Sequence, residues 1–224
     1  MRRYSTRIAA VAMLGCGLHA ALPASAQDKN LGAAIAAKGG SSGAAACVSC
    51  HGAKGEGMAA AGFPRLAGLH PDYLLAQLDN FASGLRQNPV MAPIARQLTA
   101  AERKAVAGYF GGLPPPTPVA SGDPNVLKAS DRGAWLADRG RWDDNLPACV
   151  QCHGPGGAGT GSAFPPLAGQ SSAYLASQLH AFKSGARPGG PMSLMSVVAK
   201  RMTDADIAAV ADHFGAAPAD KGKK

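Results

Sequence analysis

Two short stretches of the sequence combine thiol and imidazole side chains at the same spacing. Each places two cysteines three positions apart and a histidine directly after the second cysteine, at residues 47–51 and 149–153. The side chains are Cys47, Cys50, His51, Cys149, Cys152 and His153. Four such cysteines could form two disulfides, bind one zinc ion or attach to a prosthetic group.

The histidine after each cysteine pair separates these chemistries. Neither disulfides nor a four-cysteine zinc site needs an imidazole there, whereas Cys-x-x-Cys-His is the attachment signature of c-type haem. The thiols bond to the vinyl groups of the porphyrin, and the histidine is the proximal ligand of the iron. A thioredoxin-like motif belongs to a βαβ pattern, and the chain has no alternating or β-branched runs. The sequence therefore predicts two covalently attached haem c groups.

A second axial ligand decides whether each iron carries electrons or binds small molecules. Met91 precedes a helix-capping threonine by eight residues, and a methionine thioether raises the reduction potential of haem. In the second half, Met192 keeps the distance from a matched arginine, while Met195 keeps the distance to the next capping threonine. We favour Met195, because the ligand loop leads directly into the helix, and keep Met192 as the alternative.

The two motifs lie in two copies of one longer repeat. Residues 63–68 (FPRLAG) correspond to residues 164–169 (FPPLAG), and residues 73–86 correspond to residues 174–187, at an offset of 101. Each copy has about 85 residues, a length at which a polypeptide core alone is marginal. A buried porphyrin would supply much of each core.

The repeat has helical patterns that would position these ligands. Apolar side chains at helical spacing predict a helix over residues 73–81. Residues 99–102 (TAAE) form a capping box that begins a last helix, and residues 203–206 (TDAD) begin its counterpart. We therefore expect an all-α fold of two tandem domains.

Composition predicts where these domains begin and end. Residues 1–26 combine three arginines, an apolar stretch and a final Ala-Ser-Ala, which is typical of a cleaved secretory signal peptide. Lipidation at Cys16 is the alternative, because the residues before it loosely resemble a lipoprotein box. The remaining segments are domain 1 (27–112), a Pro-rich linker (113–125), domain 2 (126–217) and a basic tail (218–224).

The charge of the chain argues against a nucleic-acid partner. Removal of the signal would leave 19 basic and 14 acidic residues, a formal charge of +5, with three of the lysines in the tail. The folded part is thus nearly balanced. Outside residues 1–26 the sequence has no apolar run long enough to cross a bilayer.

The repeated motifs resemble those of the di-haem cytochromes c of the cytochrome c4 type over essentially the whole mature chain. The matching patterns are Cys-x-x-Cys-His, Phe-Pro-x-Leu-Ala-Gly, Tyr-Leu-x-x-Gln-Leu and Met-x-x-(Ile/Val)-Ala. The resemblance implies two class I cytochrome c folds about a pseudo-twofold axis, with His/Met-ligated haems, in the bacterial periplasm. It also implies that the carbonyls of Pro64 and Pro165 accept hydrogen bonds from the proximal imidazoles. The chain departs from the pattern in a three-residue-longer loop at 188–194, which leaves the second distal ligand open.

Arginines and further histidines complete the candidate residues. Arg86 and Arg187 recur at matched positions, and a guanidinium fork suits a haem propionate. Solvated surface positions are the alternative for both. Histidines without a matched partner are expected at the surface or in packing; they are His70, His180 and His213.

The function implied by the resemblance is respiratory electron transport without catalysis. Single electrons would come from a quinol-oxidising complex or a dehydrogenase and would pass towards a terminal oxidase. The alternative is an electron-transfer subunit of a dehydrogenase, or a small haem enzyme, in which the second iron is open; the loop at 188–194 would permit it. Redox proteins are the expected partners, and loose membrane association stays open.

Overall fold

The computed structural model describes residues 24–115, 128 and 130–215, with side chains from Asn30 onward. Most of the predicted signal peptide and linker, and the whole predicted tail, lie outside the described residues. The first described helix begins at Ala24, three residues before the N-terminus that the predicted cleavage would create.

The described residues form ten α-helices, in two sets of five. The first set is α1 (Ala24–Lys38), α2 (Val48–His51), α3 (Pro71–Ser83), α4 (Met91–Arg96) and α5 (Ala100–Gly111). The second set is α6 (Arg132–Asp138), α7 (Val150–His153), α8 (Ser172–Ser184), α9 (Leu194–Lys200) and α10 (Asp204–Gly215). The described residues form isolated β-bridges, such as Met58 with Phe63, but no named strand. The all-α prediction of two tandem domains is confirmed.

In each domain the first helix crosses the last at a glycine. A Cβ atom on Gly32 of α1 would lie 2.2 Å from the carbonyl oxygen of Ala105 in α5. A Cβ atom on Gly133 of α6 would lie 2.4 Å from the oxygen of Ala209 in α10. Both distances are far below van der Waals contact, so only glycine permits this close packing.

In each domain one helix leads to the loop before the predicted methionine ligand, which we call the distal loop. In the first domain this helix begins and ends close to the predicted residues. The helix expected over residues 73–81 is α3, Pro71–Ser83, which begins after His70. The Nδ1 atom of His70 accepts a hydrogen bond from the amide of Asp72 at 3.2 Å. In the second domain Ser171 caps α8 through the amide of Tyr174. Gly84 and Gly185 end the two helices in the left-handed conformation.

The last helices provide the apolar wall behind each site. Val106 and Phe110 of α5 are buried, as are Val210 and Phe214 of α10. The first domain has the larger core cluster, which includes Ile35, Leu69, Leu74 and Leu98; the second cluster centres on Leu136, Leu146, Met202, Ile207 and Val210. The α3 helix packs on α4 and α5, and α8 packs on α9 and α10.

A cavity shared by two repeated cysteine–histidine sites

One cavity of about 1030 Å³ extends through both domains. This volume lies at the upper end of the range for small-molecule sites. Its walls are mainly apolar and include Leu66, Leu78, Phe81, Ile94, Leu175 and Phe182. Both cysteine–histidine motifs line it, so the two sites face one continuous space.

A single helical turn arranges each motif. In α2 the amide of His51 donates to the carbonyl of Cys47 at 2.9 Å, and in α7 the amide of His153 donates to that of Cys149 at 3.0 Å. A turn of this kind places residues three and four apart on one side of the helix. All six predicted cysteine and histidine side chains consequently line the cavity.

No disulfide joins the four motif cysteines, all of which lie among the described residues. Burial raises the pKa of the Cys47 thiol to about 11 and that of the Cys149 thiol to about 12. Both of these thiols are therefore held in the neutral form. Within the described part of the chain, no three or more His, Cys, Asp or Glu side chains are grouped to hold a metal ion.

Each histidine of the motif is oriented by a proline carbonyl. The Nδ1 atom of His51 lies 2.8 Å from the oxygen of Pro64, and that of His153 lies 2.7 Å from the oxygen of Pro165. A carbonyl oxygen only accepts, so Nδ1 bears the proton and Nε2 keeps a free lone pair. Burial lowers the pKa of both imidazoles, although the proline hydrogen bonds act against this shift. Each ring is thus prepared as a neutral nitrogen ligand.

The methionines differ in their position relative to the cavity. Met91 at the start of α4 and Met195 in α9 both line it. Met192 does not; its side chain is 85% exposed. It lies in the 3₁₀ turn Pro191–Ser193, which accounts for the extra length of this loop.

The two distal loops are anchored differently. In the first domain the Oδ1 atom of Asn88 accepts from the amides of Val90 and Met91, at 3.0 and 2.8 Å. The matched position in the second domain is Gly189, whose carbonyl accepts from the amide of Met195 at 2.9 Å. Sequence reasoning missed Asn88, although an Asn-Pro pair before a helix is a recognised turn signal.

Arg86 lies buried in the interface between the domains, with 6% of its surface exposed. Its Nη2 atom donates to the hydroxyl of Tyr174 at 2.9 Å and to Oε1 of Gln178 at 2.6 Å. Its Nη1 atom donates to Oε1 of Gln77 at 2.9 Å. The guanidinium carbon also lies 4.4 Å from the centre of the Phe81 ring, in cation–π contact.

Arg187 repeats this arrangement with the domains exchanged. Its guanidinium donates to Tyr73 and Gln77 of the first domain, at 2.8 and 3.2 Å, and to Gln178 at 3.0 Å. It covers the ring of Phe182 at 4.4 Å. Each position lies 101 residues from its counterpart, so these reciprocal contacts follow a pseudo-twofold axis.

Both arginines are buried cations that contact neutral groups. None of the ion pairs among the described residues includes Arg86 or Arg187, and both line the cavity. Their guanidinium groups hold the pKa of Tyr174 below its usual range, although burial of this phenol acts in the opposite direction. The alternative of solvated surface arginines is wrong, because residues about 100 positions away cover both side chains.

A third buried arginine was not identified from the sequence. Arg65 is 3% exposed and lines the same cavity. Its Nη1 atom donates to the carbonyl of Ala67 at 2.8 Å, and its Nη2 atom donates across the interface to the carbonyl of Ala168 at 3.1 Å. The backbone of Arg65 exchanges two hydrogen bonds with the side-chain amide of Gln170. The repeat gave no signal for this residue, because the matched position is Pro166.

The three unmatched histidines lie away from the cavity lining. His70 caps α3, and His180 is exposed. The ring of His213 packs against that of Phe214, with centroids 5.0 Å apart. These positions agree with the expected surface and packing roles.

Over the ranges that the structure describes, no helix is both long and apolar enough to span a membrane.

The residues present fit two porphyrins with covalent attachment. Each half of the cavity has two thiols, an imidazole with a free Nε2 atom, a methionine thioether and apolar walls. The interface adds buried guanidinium groups that have no carboxylate partner in the described part of the chain. Porphyrin propionates would supply the negative charge that buried cations require.

Comparison with known proteins gives the same assignment. The family model described as cytochrome c matches residues 36–113 and 131–214. A thiosulfate dehydrogenase electron acceptor from Stutzerimonas stutzeri (strain A1501) is 50% identical over 184 residues, which are 82% of this chain and 84% of the relative. Cytochrome c4 from Thiocapsa roseopersicina is 37% identical over 170 residues, 75% of this chain and 85% of the relative. A solved structure of thiosulfate dehydrogenase from Marichromatium purpuratum aligns with a TM-score of 0.75 at 44% identity, over 83% of this chain and 39% of that chain.

Proposed function

This chain belongs to the cytochrome c family and is a di-haem electron-transfer cytochrome of the cytochrome c4 type, and we propose that it accepts electrons from a thiosulfate dehydrogenase. It binds two haem c groups covalently. The observation that carries the proposed donor is the higher identity to the acceptor from S. stutzeri, 50%, than to the cytochrome c4 from T. roseopersicina, 37%. The 44% identity to a thiosulfate dehydrogenase chain supports the same donor.

The proposed ligand sets follow the lining of the cavity. Cys47 and Cys50 attach the first haem, and His51 and Met91 are its axial ligands. The second haem has the corresponding set Cys149, Cys152, His153 and Met195. Met195 is preferred to Met192 because it lines the cavity, whereas Met192 is 85% exposed.

The protein's contribution is to hold these ligands unchanged while single electrons enter and leave. When bound, haem supplies an iron that alternates between the ferric and ferrous states. The carbonyls of Pro64 and Pro165 fix the imidazole rings, and the anchored loops fix the thioethers. Because no ligand needs to be exchanged, little reorganisation opposes outer-sphere transfer.

Arg86 and Arg187 act in this proposal as partners of the haem propionates. Each is a buried cation that lines the cavity and has only neutral partners in its own network. An uncompensated buried charge costs several kcal/mol. Propionate carboxylates at the interface would remove much of that cost and would join the domains.

The proposed site of action is the periplasm, and the final acceptor is a terminal oxidase. The support for export is the signal-like composition of residues 1–26. The proposal also keeps the predicted domain bounds. These are domain 1 (27–112), the linker (113–125), domain 2 (126–217) and the tail (218–224). In this proposal the chain accepts the electrons and the dehydrogenase binds thiosulfate.

The donor is tested by mixing the ferric holoprotein with a catalytic amount of thiosulfate dehydrogenase. We expect both haems to become reduced only when dehydrogenase and thiosulfate are both present, as followed by the ferrous absorption bands. A cytochrome c4 from another bacterium, used at the same concentration, should be reduced more slowly. Reduction by a quinol-oxidising complex but not by the dehydrogenase would overturn the proposed donor and leave the ligand sets untouched.

A further inference from the structure

Arg65 is a buried cation in the interface between the domains, and the matched position of the second domain has no charge. Its side chain lines the shared cavity, and its Nε atom is buried without a hydrogen-bond partner among the described residues. The Nη atoms bond to the carbonyls of Ala67 and Ala168. These partners are neutral dipoles, so the charge of Arg65 has no counter-ion among the described residues.

The position of Arg65 relates it to the first haem site. It directly follows Pro64, whose carbonyl orients the ring of His51. In the second repeat the corresponding proline, Pro165, is followed by Pro166, which has no charge and no side-chain donor. The segment beside the first proximal histidine therefore has a buried cation, and its counterpart does not.

We propose that Arg65 pairs with a propionate of the first haem and holds the reduction potential of this haem above the value it would otherwise have. This inference rests on the proposed haem ligation. The orphaned Nε–H and the unpaired charge are what a carboxylate would satisfy. Reduction adds one electron and lowers the positive charge of the iron by one, so a nearby buried cation favours the ferrous form. Loss of the cation would leave the propionate charge uncompensated and would favour the ferric form.

The test is a potentiometric titration of the holoprotein with variants of Arg65. Arg65→Gln removes the charge, and Arg65→Lys keeps it while losing the fork. Arg96→Gln removes an exposed charge from the same domain and is the matched control. Met91→His would replace the proposed thioether ligand with a second imidazole and so marks which of the two redox steps belongs to the first haem.

We expect Arg65→Gln to lower the equilibrium constant for reduction in the step marked by Met91→His about tenfold, which is about 59 mV for one electron. The other step should move several-fold less, and Arg65→Lys and Arg96→Gln should leave the marked step nearly in place. No shift, an equal shift of both steps, or an equal effect of Arg65→Lys would overturn the role of Arg65. If Met91→His moves neither step, the proposed ligation fails, and this outcome is distinct from a failure at Arg65.

Discussion

The last helix is anchored by different chemistry in the two domains. In the first, Glu102 accepts from the backbone amides of Thr99 and Ser41, both at 2.8 Å. In the second, Asp206 is one carbon shorter and fully buried; it accepts from Thr203 and from the guanidinium groups of two arginines. A longer carboxylate reaches a neighbouring loop amide, whereas a shorter one is reached by long side chains from other elements.

The two arginines that form ion pairs with Asp206 have no charged counterpart at the matched positions of the first domain. Arg132 begins α6, and Arg141 lies just after it; the matched residues are Leu31 and Gly40. The second domain therefore depends on a buried carboxylate with two partly exposed cations. It also has the smaller apolar core cluster and the longer distal loop. The last helix of a haem-binding domain can thus be anchored either by backbone amides or by charged side chains. The variants below test how this difference affects ligation and stability.

The largest expected effect is the loss of an axial methionine. An equal effect in both domains would show that the two distal loops supply equivalent ligands despite their different anchors. Met195→Ala removes the proposed thioether and leaves one iron open, and Met91→Ala does the same at the other iron. Each variant should lose half of the far-red absorption of methionine-ligated ferric haem, and one of its two ferrous haems should bind carbon monoxide. The measurements are the ferric spectrum and a carbon monoxide titration, both normalised to a chemical haem count.

Met192→Leu is the control for this comparison. Because Met192 is exposed and lies outside the cavity lining, both far-red bands should remain. If Met192→Leu loses a band and Met195→Ala does not, Met192 is the ligand. If the unaltered protein already shows one band for two haems, the second iron is open and the enzyme alternative gains support.

The symmetry of the interface is tested by Arg86→Ala and Arg187→Ala. Each leaves one half-buried tyrosine hydroxyl without its arginine donor and removes one of the two donors to both glutamine oxygens. We expect each variant to lower the free energy of unfolding of the holoprotein by about 3 kcal/mol. Denaturant titration with haem absorbance as the probe measures both losses. Arg96→Ala at the surface should cost under about 0.5 kcal/mol. Markedly unequal losses would show that the interface is symmetric in geometry but not in energy.

Much of each site could be predicted from the sequence because its chemistry is local. Cys47, Cys50 and His51 lie within one turn, and the repeat supplies an independent second copy of that turn. The capping box at Thr99 was predicted for the same reason, since the atoms that bond are three residues apart. Local spacing and repetition are the properties that a single sequence shows directly.

The interface could not be predicted, because its contacts join residues about 100 positions apart. Arg86 meets Tyr174 and Gln178 only after the two domains have packed together. Arg65 is still less visible, because its repeat partner is a proline and so repetition gives no signal. Met192 against Met195 was left open because counting residues cannot show which side chain faces the cavity.

The contributions of Asp206 and Glu102 to stability can be compared through their amide variants. Asp206→Asn leaves Arg132 without its carboxylate and leaves Arg141 with Asp144 alone. We expect the free energy of unfolding to fall by about 2 kcal/mol, a value reduced by the partial exposure of both arginines. Glu102→Gln keeps an acceptor for only one of the two amides, of Ser41 and Thr99, but leaves no arginine without a partner. Its loss of stability should therefore be smaller. Thermal unfolding of the two holoprotein variants at neutral pH measures the difference, and a larger loss for Glu102→Gln would contradict it.

Lowering the pH should reduce the stability that each of these two variants loses relative to the unaltered protein. Hydrogen bonds from the amides of Ser41 and Thr99 lower the pKa of Glu102 to about 2. Burial acts to raise the pKa of Asp206, but hydrogen bonds from Arg141 and Thr203 outweigh it and hold that pKa well below its usual range. A carboxylate with a lowered pKa stabilises the fold above its unfolded-state pKa, about 4, and this contribution is lost as the pH falls through the folded-state value. The stability gap between each variant and the unaltered protein should therefore narrow below about pH 4.

The smallest expected effect concerns the turn that makes the second distal loop longer than the first. Met192 has a φ angle of 51°, and Ser193 has 56°, both in the left-handed region that most side chains avoid. Asparagine tolerates this region better than methionine does, and an exposed side chain loses little packing when it is replaced. We expect Met192→Asn to raise the free energy of unfolding by about 0.5 kcal/mol, with both far-red bands and both potentials unchanged. Leu85→Asn, at an exposed position just before the first loop without a positive φ angle, should give no such gain. A destabilised Met192→Asn variant would mean that the methionine side chain has a packing partner in the holoprotein, and the two loops would then differ in more than length.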